Sequence, residues 1–312
     1  MPTPKRIFYG CLGVARCDGS PMGKHISVSL SVSRNISNIM SAGDKTPAIT
    51  YPDATNVELT TTQYYSGFIN DLNAEPGVIS PIGLDVMLGD ETQLDANGLI
   101  FLKGSTARTV RCKNMFLNNI SYQFTIDGPF ITTKKYSGWV ISNCTNSSDF
   151  TGALSAIVPV RRHFVPGAIG GFPSTHLSSV NFEQSINRQY VVEFGSRANY
   201  AAYMVLPIKA SLSLEGFASC TSAGYSFQDI ATACNNFADT NEVLTISTCG
   251  PGADSISLPE SRLVSLGYSG GDANSSSNMM VSASYESIID ATSIQTTWTA
   301  ADSDHNKGDC DC

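Results

Sequence analysis

The chain lacks any apolar run that approaches the roughly 20 residues of a membrane-spanning helix, and it lacks an excess of basic residues. Its 312 residues include 19 Lys and Arg against 27 Asp and Glu, which gives a net charge of −8. A protein that binds nucleic-acid phosphates tightly would normally carry a basic excess. Hydrophobic residues reach 42% and charged residues only 15%, so a disordered chain or a coiled coil is excluded.

Signals for export are also missing at the start of the sequence. Met1–Arg6 leads into no signal-peptide core, and we therefore expect a protein that folds in a cytoplasm. The nine cysteines are odd in number and irregularly spaced, which favours free thiols in the core over a disulfide framework. Five Asn-x-Ser/Thr triplets then indicate only that the chain is rich in Asn, Ser and Thr.

The sequence contains no recognisable catalytic motif. A Gly-x-Ser-x-Gly elbow and a His-Glu-x-x-His zinc helix are absent. The segment Gly19–Lys24 is one residue short of a phosphate loop, and His25 follows where Ser or Thr would bind magnesium. Beside Cys310 and Cys312, a tetrahedral metal site would need two more ligands at short spacing, and only His305 is near. We expect no catalytic residue, cofactor or metal, and hence a protein that is not an enzyme.

Alternating apolar and hydroxylic residues instead predict a mainly β fold. The clearest example is Ile26–Ser33, where a period of two continues for eight positions. Further strands are predicted at Val57–Tyr65, Leu99–Leu102, Ile120–Ile126, Ile208–Leu214, Val243–Ile246, Arg262–Tyr268 and Met279–Tyr285. Capping signals predict two short helices, one over Ile82–Leu88 after Ser80 and Pro81, and one after Ser226. We expect Trp139 and Trp298 to fill the core at the last strand of each half.

The order of these features recurs in the two halves of the chain. Ser27–Lys45 aligns without a gap on Ser179–Arg197 at an offset of 152, and Leu117, Ile120 and Tyr122 match Leu263, Leu266 and Tyr268 at 146. Gly67 and Phe68 match Gly216 and Phe217 at 149, and the two helices match at 146. We interpret this as a duplication. It predicts an N-terminal arm (1–19), a first β domain (20–144), a linker (145–176), a second β domain (177–298) and a flexible acidic tail (299–312).

An all-β domain with one helix after a strand pair and a long loop between its first two long strands resembles the tail tube protein of long-tailed bacteriophages. The segment Ser257–Asp272, followed by Met279–Tyr285, is similar to the last hairpin of such proteins. The resemblance implies two tandem tube-like β-sandwich or barrel domains, each with one short α-helix. It also implies three copies per ring with pseudo-sixfold symmetry, and rings that stack into a hollow tube in the virion tail.

The resemblance further implies specific roles for two sets of residues. One face of the first long strand of each half would line the lumen: Ser27, Ser29, Ser31 and Ser33, and their counterparts Ser179, Asn181, Glu183 and Ser185. The same residues could equally be the solvent face of a sandwich. The long loops Met40–Asn56 and Gly195–Val205 would contact the next ring, through Tyr51, Pro52, Tyr200 and Tyr203.

The partners that follow from the resemblance are further copies of the chain, tape-measure proteins and tail-terminator or tip proteins. DNA would pass without specific binding, since an acidic lumen would not hold its phosphates, and no membrane insertion is expected. The protein would be made in the host cytoplasm. Two alternatives remain open: another β-sandwich virion protein (a decoration, adaptor or receptor-binding subunit), and a β-sandwich hydrolase or lyase acting on polysaccharide.

Overall fold

A computed structural model describes residues 11–17, 22, 25–39, 42–43, 45, 49–69, 72, 74–94, 100–144, 177–192, 199–217, 242–247, 255–270, 280–289 and 297–299. These residues form fifteen strands, and all of their pairings are antiparallel. The strands are β1 (Cys11–Arg16), β2 (His25–Ile39), β3 (Ile49–Tyr64), β4 (Ile82–Leu94), β5 (Ile100–Thr125), β6 (Ile131–Gly138), β7 (Val140–Cys144), β8 (Leu177–Ser185), β9 (Arg188–Val192), β10 (Asn199–Met204), β11 (Ile208–Phe217), β12 (Glu242–Ser247), β13 (Ser255–Ser269), β14 (Met280–Ile289) and β15 (Thr297–Thr299). The predicted mainly β fold is confirmed.

One sheet runs through both halves of the chain in the order β12-β13-β14-β11-β8-β5-β6-β3-β2. We name β2, β3, β6 and the C-terminal half of β5 the first group, and β8, β11, β14 and the C-terminal half of β13 the second group. The two groups join where β5 pairs with β8, from Asn119 opposite Ser185 to Thr125 opposite Ser179. We call this pairing the junction. A separate sheet has the order β15-β10-β9.

The two groups have corresponding strand orders and registers. Leu59 of β3 lies opposite Leu30 and Tyr136, and Leu212 of β11 lies opposite Phe182 and Tyr285. The corresponding registers relate β2 to β8 at an offset of 152, β3 to β11 at 153, β6 to β14 at 149 and β5 to β13 at 146. A bulge interrupts β5 between Leu117 and Asn119, and β13 between Leu263 and Ser265, again 146 residues apart. The register therefore gives an offset of 153 between β3 and β11, whereas the alignment of Gly67 and Phe68 predicted 149.

The predicted helix over Ile82–Leu88 is wrong, because these residues belong to strand β4. β4 pairs with β1 on one edge and with β5 on the other. Proline is tolerated before the first residue of a strand just as it is at the first turn of a helix, so Ser80 and Pro81 do not distinguish the two. A seven-residue helix is also marginal without packing, whereas the strand is hydrogen-bonded on both sides. The helix predicted after Ser226 lies outside the described residues.

Strand β5 passes from one layer of the fold to another. Its N-terminal part pairs with β4 and β7, and its C-terminal part pairs with β6 and β8. Asn114, between these parts, has a φ of 56°, a left-handed conformation that Asn adopts more readily than most residues. At the same level the chain leaves β6 at Gly138, where a Cβ atom would lie 2.7 Å from the Asn114 carbonyl oxygen. The close approach of the two backbones explains the glycine.

One hydrophobic core extends across both groups. It includes Val14 and Leu84 from the β1–β4 layer, Leu59 and Tyr136 from the first group, and Leu212 from the second. Trp139 is 5% exposed and stacks on Phe116 in a second, smaller cluster that includes Ala202, which confirms its predicted buried position. The Trp298 side chain lies outside the described part.

Cysteine chemistry differs from the expectation at one position. Cys112 is free and buried, as predicted, and burial raises the pKa of its thiol to about 12. Cys17, however, is disulfide-bonded, so the expectation of a free thiol does not hold at this position. Irregular spacing in sequence did not indicate this bond because disulfides join residues that the fold brings together.

Helices suited to a membrane crossing do not occur among the described residues.

Three of the segments expected from the sequence can be compared with the described residues: the N-terminal arm, the linker and the acidic tail. Residues 11–16 of the expected N-terminal arm form β1, which pairs with β4. The expected linker, 145–176, lies outside the described residues. So does the expected acidic tail, apart from Thr299 in β15.

Candidate functional site: a polar sheet face and two strand edges

The two groups share one polar surface, which we name the polar face. It contains all eight residues that the sequence placed on one strand face in each half. Ser27, Ser29, Ser31 and Ser33 are exposed on β2, and Ser179, Asn181, Glu183 and Ser185 are exposed or half-buried on β8. Pairing registers connect the two strands through Thr60 and Thr62 of β3, Thr133 and Lys135 of β6, and Asn119, Ser121, Gln123 and Thr125 of β5. The structure therefore brings both predicted sets onto the same side of one sheet.

Side chains on neighbouring strands of this face form hydrogen bonds with one another. The amide nitrogen of Asn119 donates to Glu183 at 2.5 Å and to Ser185 at 3.2 Å across the junction. Within the second group, Ser179 donates to Glu215 at 3.0 Å. Hydroxyl pairs repeat the pattern within each group, at 3.4 Å for Thr62 with Thr133 and 3.3 Å for Ser213 with Ser284. The polar side chains thus form short cross-strand contacts in both groups.

Charges on the polar face are few and mixed. The described carboxylates are those of Glu58, Glu183, Glu215 and Glu286, and the cations are those of Lys135, Lys209 and Arg262. Arg262 lies directly opposite Glu286 on the neighbouring strand. A surface with this balance offers no basic patch to hold a phosphate backbone.

The opposite side of the junction is apolar and tightly packed. Tyr122 of β5 stacks on Phe182 of β8 with ring centroids 5.8 Å apart and an interplanar angle of 12°. The two residues are 0% and 1% exposed, respectively. The hydroxyl of Tyr122 also accepts a hydrogen bond from the backbone nitrogen of Ile69 at 2.9 Å. Each half of the chain therefore contributes one ring to the same buried stack.

A second contact lies beside the junction, where β9 and β10 meet the first group. The Arg188 guanidinium lies 4.6 Å from the centre of the Phe116 ring and donates to the carbonyl oxygens of Gly77 and Val78. Burial lowers the pKa of Arg188 to about 10. Tyr190 packs edge-on against Trp139 at 5.5 Å and hydrogen-bonds the Ser137 hydroxyl at 2.7 Å. These contacts fix the second half against the first.

Each group also ends in a strand edge with no strand partner among the described residues. In the described part of the chain β2 pairs with β3 alone, and we call its other side the β2 edge. The C-terminal half of β13 pairs only with β14, because β12 pairs with Ser255–Ser261 and no further. We call the other side of this half the β13 edge. Unpaired strand edges are templates for pairing with another chain.

Side chains at these edges are exposed where their counterparts at the junction are buried. Tyr268 is 38% exposed, but Tyr122, its counterpart at offset 146, is fully buried. Val32 is 47% exposed, whereas its counterpart Gln184 is 3% exposed. At the junction, β5 and β8 cover each other; among the described residues no strand lies in the corresponding place beside either edge.

The residues predicted for ring stacking lie in strands or at strand ends. Tyr51 and Pro52 belong to β3, opposite Ser37 and Ile36 of β2, so the predicted loop Met40–Asn56 is shorter than expected. Tyr200 and Tyr203 belong to β10 and are 36% and 40% exposed, so much of the predicted loop Gly195–Val205 is also strand. Tyr51 and Pro52 lie near the turn end of the β2–β3 pair, and Tyr200 and Tyr203 lie on β10 beside β9.

Sequence reasoning missed the junction and the two edges. Only long-range pairing places β5 beside β8, and alternation within a strand does not specify its neighbour. One signal was present: the apolar positions Val28 and Leu30 match Val180 and Phe182, which indicates that two equivalent strands have similar buried sides.

The described residues contain no group of three His, Cys, Asp or Glu side chains suited to a metal ion. A cavity of about 200 Å³ lies beside Phe68, Tyr122 and Gln63. Its two charged groups, Glu75 and Lys134, pair with each other at 2.6 Å, so neither charge is directed at a ligand. Comparison of the chain with protein-family models and with curated proteins finds no match.

Proposed function

We propose that this protein is a structural virion protein whose copies assemble into rings, and that the rings stack into the hollow tail tube of a long-tailed bacteriophage. The two groups would be tandem tube domains, and three chains would form a ring of pseudo-sixfold symmetry. The protein would act by binding itself, with no catalytic step. DNA would pass through the tube without specific binding.

The observation that carries this proposal is the junction. Two groups with corresponding order and register already pair edge to edge inside one chain. The chain then presents one edge of each kind, the β2 edge and the β13 edge. Heterologous contacts of this type propagate from copy to copy and form a ring when the rotation closes. Closure would also remove the unpaired edges, which otherwise favour aggregation.

The size of the proposed ring suits a channel for DNA. Three chains contain six groups of four strands, which makes 24 strands in the wall. At a strand spacing of about 4.8 Å, the ring would measure about 37 Å across between backbones even without strand tilt, and more with it. Barrels of 16 to 18 strands already leave an aqueous channel.

The composition of the polar face supports an orientation in which this side of the sheet faces the lumen. One side of the sheet packs on the core and the other is hydroxylic, with four carboxylates and three cations on the described strands. A lumen lined by this face would be wetted and would not hold phosphates by counterion release. The inner surface would therefore be Ser27, Ser29, Ser31 and Ser33 with Ser179, Asn181, Glu183 and Ser185.

Light scattering and negative-stain electron microscopy over a concentration series test the proposal. We expect particles of three times the 33.2 kDa chain mass, seen as rings with sixfold-looking projections, or hollow tubes built from them. A closed oligomer that never stacks would instead indicate a decoration, adaptor or receptor-binding subunit. A protein that stays a monomer at all concentrations, also with preformed tail tips added, would contradict the proposal.

A further inference from the structure

We propose that the β13 edge binds the β2 edge of a second copy of this chain, antiparallel and in the same register that joins β5 to β8. The inference rests on the proposed function and specifies its subunit contact. The partner is thus another copy of the chain, and the contact is heterologous: one copy contributes β13 and the other contributes β2.

The register follows from the pairings inside the chain. β4 and β8 lie along successive parts of the same edge of β5, because β6 and β7 together occupy the other edge. β12 occupies the part of β13 that matches the β4 contact. The β13 edge is therefore the counterpart of the edge that β8 covers on β5. Since β2 is the counterpart of β8, β2 is the strand that fits there.

The residue pairs at the proposed contact follow when the offsets between the two groups are applied to the β5–β8 register. Asn119 lies opposite Ser185, and Gln123 lies opposite Asn181. Adding 146 to the β5 residue and subtracting 152 from the β8 residue places Ser265 opposite Ser33 and Ser269 opposite Ser29. Between these pairs, Gly267 would lie opposite Ser31. All six residues lie at polar-face positions of their own strand, so the polar face continues into the second copy.

On the other side of the sheet, the same register joins apolar side chains. Tyr122 lies opposite Phe182 at the junction, and their counterparts are Tyr268 and Leu30. Tyr268 is 38% exposed, and Leu30 is a half-buried residue at the margin of the core. Pairing would bury both, as the junction buries Tyr122 and Phe182.

A second contact is expected beside the new pairing. In the chain, Arg188 covers Phe116, which stacks on Trp139. The counterpart of Arg188 is Ile36 at offset 152, and the counterpart of Trp139 is Ile288 at offset 149. Ile36 is 61% exposed and Ile288 is 53% exposed. The counterpart of Phe116 at offset 146 is Arg262, so the register would place Ile36 of one copy beside Arg262 of the other, on the side of the sheet where Ile288 is exposed, and would cover part of the Ile36 side chain.

Cysteine pairs at the proposed contact give a direct test. Ser29, Ser33, Ser265 and Ser269 are all exposed on the polar face, so Ser→Cys changes there should leave the fold intact. The matched variants are S265C with S33C, and S269C with S29C. The mismatched controls are S265C with S29C, and S269C with S33C, in which the thiols are separated by four residues, or about 13 Å along the strand. A disulfide needs Cα atoms within about 7 Å.

We expect mild oxidation to give about tenfold or more crosslinked dimer and trimer in the matched pairs than in the mismatched pairs. Single-cysteine variants and the unmodified chain measure background from native thiols. Crosslinks of similar yield in mismatched pairs, or in S33C alone through symmetric pairing of two β2 strands, would overturn the register. Rings or tubes that form without matched crosslinks would overturn this inference and leave the proposed function standing. A chain that stays monomeric by light scattering would contradict both.

Discussion

At the scale of single residues, the stability of the first half depends on a buried ion pair. Asp85 of β4 accepts two hydrogen bonds from the Arg111 guanidinium, at 2.7 and 2.8 Å, and both side chains are nearly inaccessible. The hydrogen bond with Asp85 raises the pKa of Arg111. The corresponding register positions in the second half hold Thr245 and Ser257, so an uncharged pair occupies the same place in the fold.

Breaking this pair from one side should be costly. Asp85→Thr leaves the Arg111 charge buried without its carboxylate, and we expect the free energy of unfolding to fall by about 3–5 kcal/mol. The double variant Asp85→Thr with Arg111→Ser copies the second half and should recover about 2 kcal/mol of that loss. Urea unfolding of the three proteins measures both effects. A double variant less stable than the single variant would contradict this account.

His25, at the start of β2, should make stability depend on pH. Burial lowers the pKa of its imidazole below the usual value of 6.5; the nearby Val14 backbone acts against this, and the Lys134 charge adds to it. The folded chain thus keeps the imidazole neutral while the unfolded chain binds a proton as the pH falls through 6.5. The free energy of unfolding should therefore decrease below that pH, by at most about 1.4 kcal/mol per pH unit.

The variant His25→Gln tests this dependence. Unfolding at pH 7.5 and pH 5.5 should show a larger acid-induced loss for the natural chain than for the variant, by up to about 1 kcal/mol. Equal losses in the two proteins would show that other groups dominate the acid response.

At the scale of elements, the junction should contribute more to folding than the equivalent outer strand. Phe182→Ala removes a ring that is 1% exposed and stacked on Tyr122, and we expect a loss of about 3–5 kcal/mol. Leu30→Ala is the matched control, because Leu30 occupies the corresponding place on β2 but is only half-buried. Its loss in dilute protein should be about 1–2 kcal/mol. Equal losses would contradict a structural role for the junction.

The β2 edge can be blocked with one charge. Val32 is 47% exposed on the apolar side of β2, and Val32→Lys would place an ammonium group where the second copy must pack, a known means of preventing edge pairing. We expect a folded monomer whose assembly requires about tenfold or more protein.

Ser211→Lys is the control for this variant, because Ser211 is exposed in the middle of the polar face, away from both edges. It should assemble as the natural chain does. Assembly of Val32→Lys at unchanged concentration, by light scattering, would exclude the β2 edge from the subunit contact.

The sequence predicted strands best where one side of the strand is buried and the other is exposed to solvent. Alternation predicted β2, β11 and β14, because apolar side chains must face the core on every second residue. It also predicted that Ser27 to Ser33 share a face. The sequence prediction failed at β4. The capping signal at Ser80 predicted a helix there, but pairing with β1 and β5 makes these residues a strand. Neither the β5–β8 junction nor the Asp85–Arg111 pair was predictable, since both join segments that are distant in sequence.

At the scale of the whole molecule, one twelve-stranded sheet and the larger hydrophobic core extend through both halves among the described residues. Among the described residues this sheet has a completed contact in its middle, the junction, and two edges without a strand partner, the β2 edge and the β13 edge. Assembly by the proposed route would repeat the junction between copies, and no new kind of contact is needed.

The most direct measurement is a cryo-electron microscopy reconstruction of the assembled protein. We expect a hollow ring of three chains with 24 strands in its wall, the polar face with Ser29 and Asn181 toward the lumen, and β13 of each chain beside β2 of the next. An assembly that places the polar face on its outer surface, or that leaves the β2 and β13 edges unpaired, would contradict it.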